Sequence, residues 1–155
     1  MAFSFGGEFI VQRSPEETYD FLTDPNRFCP LLPDYENVDV RDAENFIVDV
    51  KVGISHIRGT AVVKLCLAEH NRPTRAKYTG KGAMAGGNVD IAAGFDLRPD
   101  GVGTVVSWKG EAQVFGRLTS IAGGLLEPLA RKNVQKVIES LQQALNVEAQ
   151  RASGT

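Results

Sequence analysis

The sequence predicts an α+β fold in which an antiparallel sheet of about seven strands is covered on one face by a long C-terminal helix. Two observations predict it. Between Tyr35 and Val114 the apolar residues mostly recur with a period of two, in segments separated by turn residues. One long segment with a helical period follows them. Strands joined by short turns are antiparallel, and the apolar face of such a sheet needs a cover.

The N-terminal part combines one strand with two short helices. Alternating apolar positions over residues 3–11 predict the strand. Ser14 is a suitable N-cap, Pro15 fits the first helical position, and Glu17 completes a capping box, so a helix should follow. The next start signal, at Asp24, is cut short by two further prolines, so the second helix should have only a turn or two.

Four central segments alternate most clearly between apolar and polar positions. They are FIVDVKV at 46–52, IRGTAVVKLCLAEH at 57–70, NVDIAAGFDL at 88–97 and GTVVSWKGEAQV at 103–114. RPDG at 98–101 and NRP at 71–73 predict turns beside them. The polar positions are expected to face solvent: Asp49, Lys51, Lys64, Asp90, Asp96, Ser107, Lys109 and Glu111.

The final helix carries a clear apolar stripe but begins with weak helix formers. The stripe consists of Val134, Val137, Ile138, Leu141 and Leu145. Gly123, Gly124 and Pro128 lie before it, and each interior glycine costs about 0.5–1 kcal/mol relative to alanine. Two interpretations stay open. The regular helix begins near Leu126 after a capped loop, or its weakened first half and the AMAGGN loop at 83–88 form a portal for a ligand.

Composition predicts one soluble domain. The 155 residues fit a domain over 1–146 with a flexible polar tail over 147–155. A net charge of −2 provides no basic field for nucleic acid. We identify neither a signal peptide nor a stretch of about 18–20 apolar residues that could span a bilayer. Cys29 and Cys66 lie far apart, which favours reduced thiols and a cytoplasmic location.

Motifs for catalysis or cofactor binding are weak or missing in the sequence. His56 and His70 have no neighbours at metal-ligand spacing, so no metal is expected. GKGAMA, starting at Gly80, matches a dinucleotide-binding pattern poorly because no helix follows it. There is no P-loop or nucleophile elbow, and no acid–base pair stands out. The sequence therefore predicts a protein without catalytic residues or cofactors.

Four segments together resemble one known family. They are GEFIVQRSPEETYDFLTDPNRFCPLLP, VKVGISHIRGTAVVKL, YTGKGAMAGGNVDIAAGFDL and GRLTSIAGGLLEPLARKNVQKVIESL. Over about residues 3 to 145 the chain resembles the CoxG-like family of carbon monoxide dehydrogenase subunits, which belongs to the START-like, or SRPBCC, superfamily. The resemblance implies a helix-grip fold, in which the curved sheet wraps around the C-terminal helix and leaves an apolar cavity.

The family resemblance also implies partners. They are a lipophilic small molecule, such as a lipid or a respiratory quinone, and a molybdenum hydroxylase of the carbon monoxide dehydrogenase class. This protein would take part in recruiting that enzyme to the membrane or in delivering its electron acceptor. Peripheral contact with the inner face of the membrane stays open.

Small residues on the inward rows of the predicted strands fit a cavity. Gly59, Ala61, Ala93, Gly110 and Ala112 alternate there with bulky side chains. Interiors are normally close-packed, so these positions leave space or let the helix and neighbouring strands approach closely. The cavity is expected to be lined by Phe28, Leu31, Tyr78, Met84, Phe95, Trp108, Leu118, Ile121, Ala122, Leu125 and Leu129, with a portal at Gly86, Gly87, Gly123, Gly124 and Pro128.

Three functions are compatible with these expectations. The first is binding and delivery of an apolar ligand, in which the Tyr78 hydroxyl bonds a ligand head group or is satisfied at the edge of the core. The second is a protein-interaction or maturation role with an empty cavity. The third is a cyclase-like or hydrolase-like enzyme, because the superfamily includes both. A widely reused fold does not decide among them.

Overall fold

One antiparallel sheet of seven strands organises the protein, and a long helix lies across it. The structure, a computed structural model, describes residues 1–54 and 57–153, without the side chains of 121–123 and 147–153. The elements are β1 (Ala2–Val11), α1 (Pro15–Leu22), α2 (Pro25–Phe28), a 3-10 turn (Cys29–Leu31), β2 (Tyr35–Val40), β3 (Asn45–Ile54), β4 (Ile57–Asn71), β5 (Arg75–Met84), β6 (Gly87–Asp100), β7 (Gly103–Phe115) and α3 (Leu118–Ser153).

The strand order is β1-β7-β6-β5-β4-β3-β2, so β1 and β2 form the edges of a curved open sheet. Every neighbouring pair is antiparallel. Strands β2 to β7 form a meander of hairpins, and the last strand, β7, also pairs with β1. It confirms the predicted α+β architecture.

Both short helices begin where the sequence predicts. Ser14 caps α1, because its side chain accepts a hydrogen bond from the Glu17 N–H at 3.2 Å. The Glu17 carboxylate pairs with the Arg13 guanidinium. Asp24 caps α2 in the same way, accepting from the Asn26 N–H at 3.1 Å.

The β6–β7 hairpin is tighter than the sequence predicts. The expected turn at 98–101 is wrong in its position, because β6 continues to Asp100 and pairs there with Gly103. Only Gly101 and Val102 form the loop, and Gly101 adopts a φ of +61°. A two-residue hairpin loop needs positive φ, which glycine supplies without strain.

Helix α3 begins at Leu118, and the interpretation that it begins near Leu126 is wrong. Gly116, at φ +96°, turns the chain out of β7, and the Leu118 N–H donates to the Gly86 carbonyl at 2.7 Å. The helix then passes through its two glycines and Pro128 without interruption. It continues past residue 146, where the sequence predicts the domain to end.

Three apolar clusters form the interior, and the first and third include residues of α3. The first packs α1 and the C-terminal half of α3 on the sheet, around Phe9, Val11, Tyr19, Phe21, Leu97, Val106 and Leu145. The second lies beneath the 3-10 turn, around Cys29, Phe46, Val48 and Val63. The third surrounds the start of α3, with Val114, Leu118 and Leu126.

Candidate functional site

The middle of the sheet's helix-facing side is lined by small residues. Gly110 of β7 lies between Phe5 of β1 and Ala93 of β6 in the strand register. Ala93, Gly110 and Ala112 are all only partly buried. A Cβ added to Gly110 would meet no atom within 4 Å among the described residues. Among the described side chains the sheet is therefore uncovered at this point, and we call the region around Gly110 the inner space.

Gly80 and Gly82 alternate with Tyr78 on the helix-facing side of β5, but close packing explains these two glycines. A Cβ added to Gly80 would lie 2.5 Å from Leu65 Cδ2, and one on Gly82 would lie 2.7 Å from Val89 Cγ1. Bulky side chains of neighbouring strands thus cross over these two glycines. The close-packing interpretation of the small residues holds at Gly80 and Gly82, whereas Gly110 leaves space.

Aromatic rings close one end of the inner space. The rings of Phe28, Phe46 and Tyr78 contact one another, with centroids 5.8 to 5.9 Å apart. The Tyr78 hydroxyl donates a hydrogen bond to the Leu22 carbonyl at 2.9 Å. Burial raises the pKa of Tyr78, so the phenol stays protonated. Its hydroxyl is satisfied at the edge of the core, which leaves the ring rather than the O–H to face a ligand.

The predicted lining residues fall into two groups. Phe28, Leu31, Tyr78, Phe95 and Trp108 pack, partly buried, against the first cluster. Met84 and Leu118 belong to the third cluster, at the other end of the helix. The inner space lies between these groups, so they form its ends rather than one continuous wall.

The remaining lining predictions lie in the first half of α3. Leu129 is partly buried, whereas Leu125 is 57% exposed. The side chains of Ile121 and Ala122 lie outside the described residues, as do the surroundings of Gly123.

The predicted portal is closed at its loop side. A Cβ on Gly87 would lie 2.4 Å from the Phe115 carbonyl oxygen, and Gly86 has a φ of +89°. These glycines let the β5–β6 loop approach the start of α3, where it accepts the Leu118 N–H. Gly124 and Pro128 are exposed on the helix. The loop and the helix start therefore act as one packed unit.

A second opening, not predicted from the sequence, lies between β1 and α3. It is a cleft of about 380 Å³ lined by Ser4, Phe5, Gly6, Gly7, Glu8, Trp108, Arg131, Val134, Gln135, Ile138 and Glu139. The Arg131 guanidinium lies over the Phe5 ring, 5.2 Å from its centroid. The alternation that places Phe5 on the helix side was visible in the sequence, but its position beside α3 depends on tertiary structure.

The outer face of the sheet carries a groove of about 620 Å³ around Ala92 and Gly94. Ion pairs join its charged rim, with Arg75 to Asp96 at 2.9 Å and Arg98 to Glu8 at 3.0 Å. Bonds from Ser107 and Arg98 hold the pKa of Glu8 below its usual range. This groove arises because small residues lie between long solvated ones.

Reactive groups are sparse around the inner space. Cys29 is fully buried, and burial raises the pKa of its thiol to about 12, which suppresses the nucleophilic thiolate. His70 lies on the surface, 3.4 Å from Glu44, while His56 lies outside the described residues. In the part of the chain that the structure describes, no cluster of three or more His, Cys, Asp or Glu could hold a metal. No helix in that part is long and apolar enough to cross a membrane.

Comparisons with known proteins agree with this architecture. The family model for the carbon monoxide dehydrogenase subunit CoxG matches residues 7–146. A conserved protein from Geobacillus kaustophilus has a similar structure, with a TM-score of 0.80 at 18% identity over 92% of this chain and 95% of its own. A START superfamily protein from Mycobacterium smegmatis gives a TM-score of 0.67 at 13% identity, over 92% and 96%.

A third solved structure, the Zhui aromatase/cyclase from a Streptomyces species, gives a TM-score of 0.68 at 14% identity, over 97% of this chain and 95% of its own. At these identities the likenesses show the START-like helix-grip fold alone. No curated protein matches the sequence.

Proposed function

Because the chain belongs to the CoxG family of carbon monoxide dehydrogenase subunits, we propose that it is a non-catalytic binding protein that carries a lipophilic molecule in the inner space. The ligand would be a lipid or a quinone. The protein would act beside a molybdenum hydroxylase of the carbon monoxide dehydrogenase class, either recruiting that enzyme to the membrane or delivering its electron acceptor.

The open surface at Gly110 carries this proposal. A well-packed interior would fill the space above a glycine, because each methylene moved from water into the core contributes about 0.8 kcal/mol. Ala93 and Ala112, beside Gly110, leave apolar surface partly exposed instead. Bulky apolar side chains bound the region at both ends, with Phe95 and Trp108 towards one and Met84 towards the other. An apolar ligand would complete this core.

The polar groups nearby favour binding over turnover. The Tyr78 hydroxyl donates its hydrogen bond to the Leu22 carbonyl, and Cys29 is buried as a neutral thiol. Neither group is therefore poised to transfer a proton or attack a substrate. A cyclase-like or hydrolase-like reaction would need a polar side chain directed into the inner space.

Mass spectrometry of organic extracts tests the proposal. Gently purified protein, before and after incubation with membrane lipids, is extracted beside a mock preparation. We expect one lipid or quinone at near-stoichiometric amount. Extracts without an enriched compound, in both states, would leave the interaction role without a ligand as the better account.

A further inference from the structure

The line of contact between β1 and α3 is closed at one end only. Strand β1 is an edge strand, and α3 lies beside it. At the closed end, the Gln142 side-chain amide donates to the Ile10 carbonyl at 2.9 Å, and the Gln12 N–H donates to Asn146 Oδ1 at 2.9 Å. These bonds satisfy the backbone of β1 where it would otherwise face solvent.

At the other end the same edge borders the cleft. Outward-pointing backbone groups recur at every second residue of an antiparallel edge strand. Those of Ser4, Gly6 and Glu8 therefore share the side on which Gln142 reaches Ile10. All three residues line the cleft of about 380 Å³. The cleft thus combines backbone polar groups on one wall with the apolar Val134 and Ile138 side chains on the other.

The cleft borders the inner space in the strand register. Phe5 and Trp108 line the cleft, and both lie on the helix-facing side of the sheet. Phe5 is directly opposite Gly110 in the register. An apolar chain that passes between β1 and α3 would therefore lie along Phe5, at the edge of the first cluster, and reach the open surface at Gly110.

Arg131 lies at the mouth of this passage. Its guanidinium stands over the Phe5 ring, and one N–H donates to Glu127 at 3.1 Å. A guanidinium has five N–H donors, so this bond leaves most of its donor capacity for another acceptor. The neighbouring carboxylates of Glu127 and Glu139 disfavour an anionic head group.

We propose that the cleft between β1 and α3 is the entrance and head-group site of the inner space, and that it selects an uncharged amphiphile whose carbonyl group accepts hydrogen bonds from Arg131. The apolar chain of that amphiphile runs past Phe5 and Trp108 towards Gly110. This inference rests on the proposed function and assigns the polar end of the same site. It differs from the portal predicted at the glycine loop, which packs against the helix start.

Three ligands of equal chain length test the head-group assignment: a long-chain methyl ester, the fatty acid and the hydrocarbon, delivered from cyclodextrin. The chain has a single tryptophan, Trp108, so its fluorescence reports binding in the cleft. We expect the ester to bind more tightly than the other two. Arg131→Met keeps the side-chain stem over Phe5 but removes the donors, and should weaken ester binding about 5–10-fold, as expected for losing one hydrogen bond of ordinary strength at an exposed site.

The control is Lys132→Met, which removes the same charge one residue away, outside the cleft. It should leave the affinity for all three ligands unchanged, and Arg131→Met should leave that for the hydrocarbon unchanged. Circular dichroism establishes that both variants fold.

The outcomes separate the two proposals. If ester and hydrocarbon bind but Arg131→Met changes neither affinity, the head-group site is overturned while ligand binding stands. If the acid binds best, the selection for an uncharged head is wrong. If wild-type protein binds none of the three ligands, the proposed function fails and this inference with it.

Discussion

Two glycines of the predicted portal should respond in opposite directions to the same substitution. At Gly124, an added Cβ meets no atom within 4 Å in the described part of the chain, and the residue is exposed inside α3. Gly124→Ala should therefore raise the free energy of unfolding by about 0.5–1 kcal/mol, because alanine has the higher helix propensity and restricts the unfolded chain. For a domain of this size that corresponds to about 1–4 °C in Tm.

At Gly87 the same methyl group has no room. It would lie 2.4 Å from the Phe115 carbonyl oxygen and 3.2 Å from Leu118 Cβ. Backbone cannot move aside cheaply, so Gly87→Ala should lower the free energy of unfolding by about 1–3 kcal/mol. The loop and the start of α3 would separate to relieve the contact.

Urea unfolding followed by Trp108 fluorescence measures both variants, and a constant m-value shows that the unfolded state is comparable. Gly53→Ala serves as the control. A Cβ at Gly53 also meets no described atom within 4 Å, but Gly53 lies in a strand rather than in a helix. A loss of stability in Gly124→Ala, or an unchanged stability in Gly87→Ala, would refute the packing argument for the portal.

Three further predictions concern Tyr78 and the two cysteines. Tyr78→Phe removes the hydrogen bond to the Leu22 carbonyl and should lower the free energy of unfolding in urea by about 1–2 kcal/mol. Ligand binding should persist, because the ring remains. Loss of binding would instead give the hydroxyl a role in holding the ligand. Thiol labelling of native protein should modify the partly exposed Cys66 before the buried Cys29. Because burial raises the pKa of Cys29 to about 12, its neutral thiol contributes stability below about pH 9 that is lost as the pH approaches 12. Cys29→Ala should therefore lose less stability than wild type over that range, and equal losses would contradict the raised pKa.

Local chemistry in the sequence predicts the elements well. Ser14 and Asp24 each cap the helix that they precede, and the alternating rows form the strands of one sheet. The start of α3 was harder to predict, because its glycines and Pro128 are poor helix formers. A long-range bond from the Leu118 N–H to the Gly86 carbonyl fixes that start, and no local pattern contains it.

The site depends even more on tertiary contacts. Gly80 and Gly110 look alike in the sequence, both being glycines on inward rows. They differ because Leu65, next to Gly80 in the register, extends over it, whereas Phe5 and Ala93 leave Gly110 open. The lining set predicted from residue type therefore mixes the two ends of the inner space. The cleft beside β1 was missed because its walls are distant in the chain.

The central claim is that the space at Gly110 holds an apolar ligand, and a chain-length series tests it most directly. Methyl esters of increasing length are titrated into wild type, Gly110→Leu and Gly53→Leu, with the dissociation constant read from Trp108 fluorescence and from the shift in Tm. Leucine at 110 fills the inner space, whereas Gly53 alternates with Val52 and Ile54 and so faces away from it.

We predict that affinity in wild type and Gly53→Leu rises about fourfold for each buried methylene, as 0.8 kcal/mol implies. Gly110→Leu should keep its fold, bind none of the esters and show no shift in Tm. If a folded Gly110→Leu binds the series as wild type does, the ligand does not occupy the inner space, and the account is contradicted.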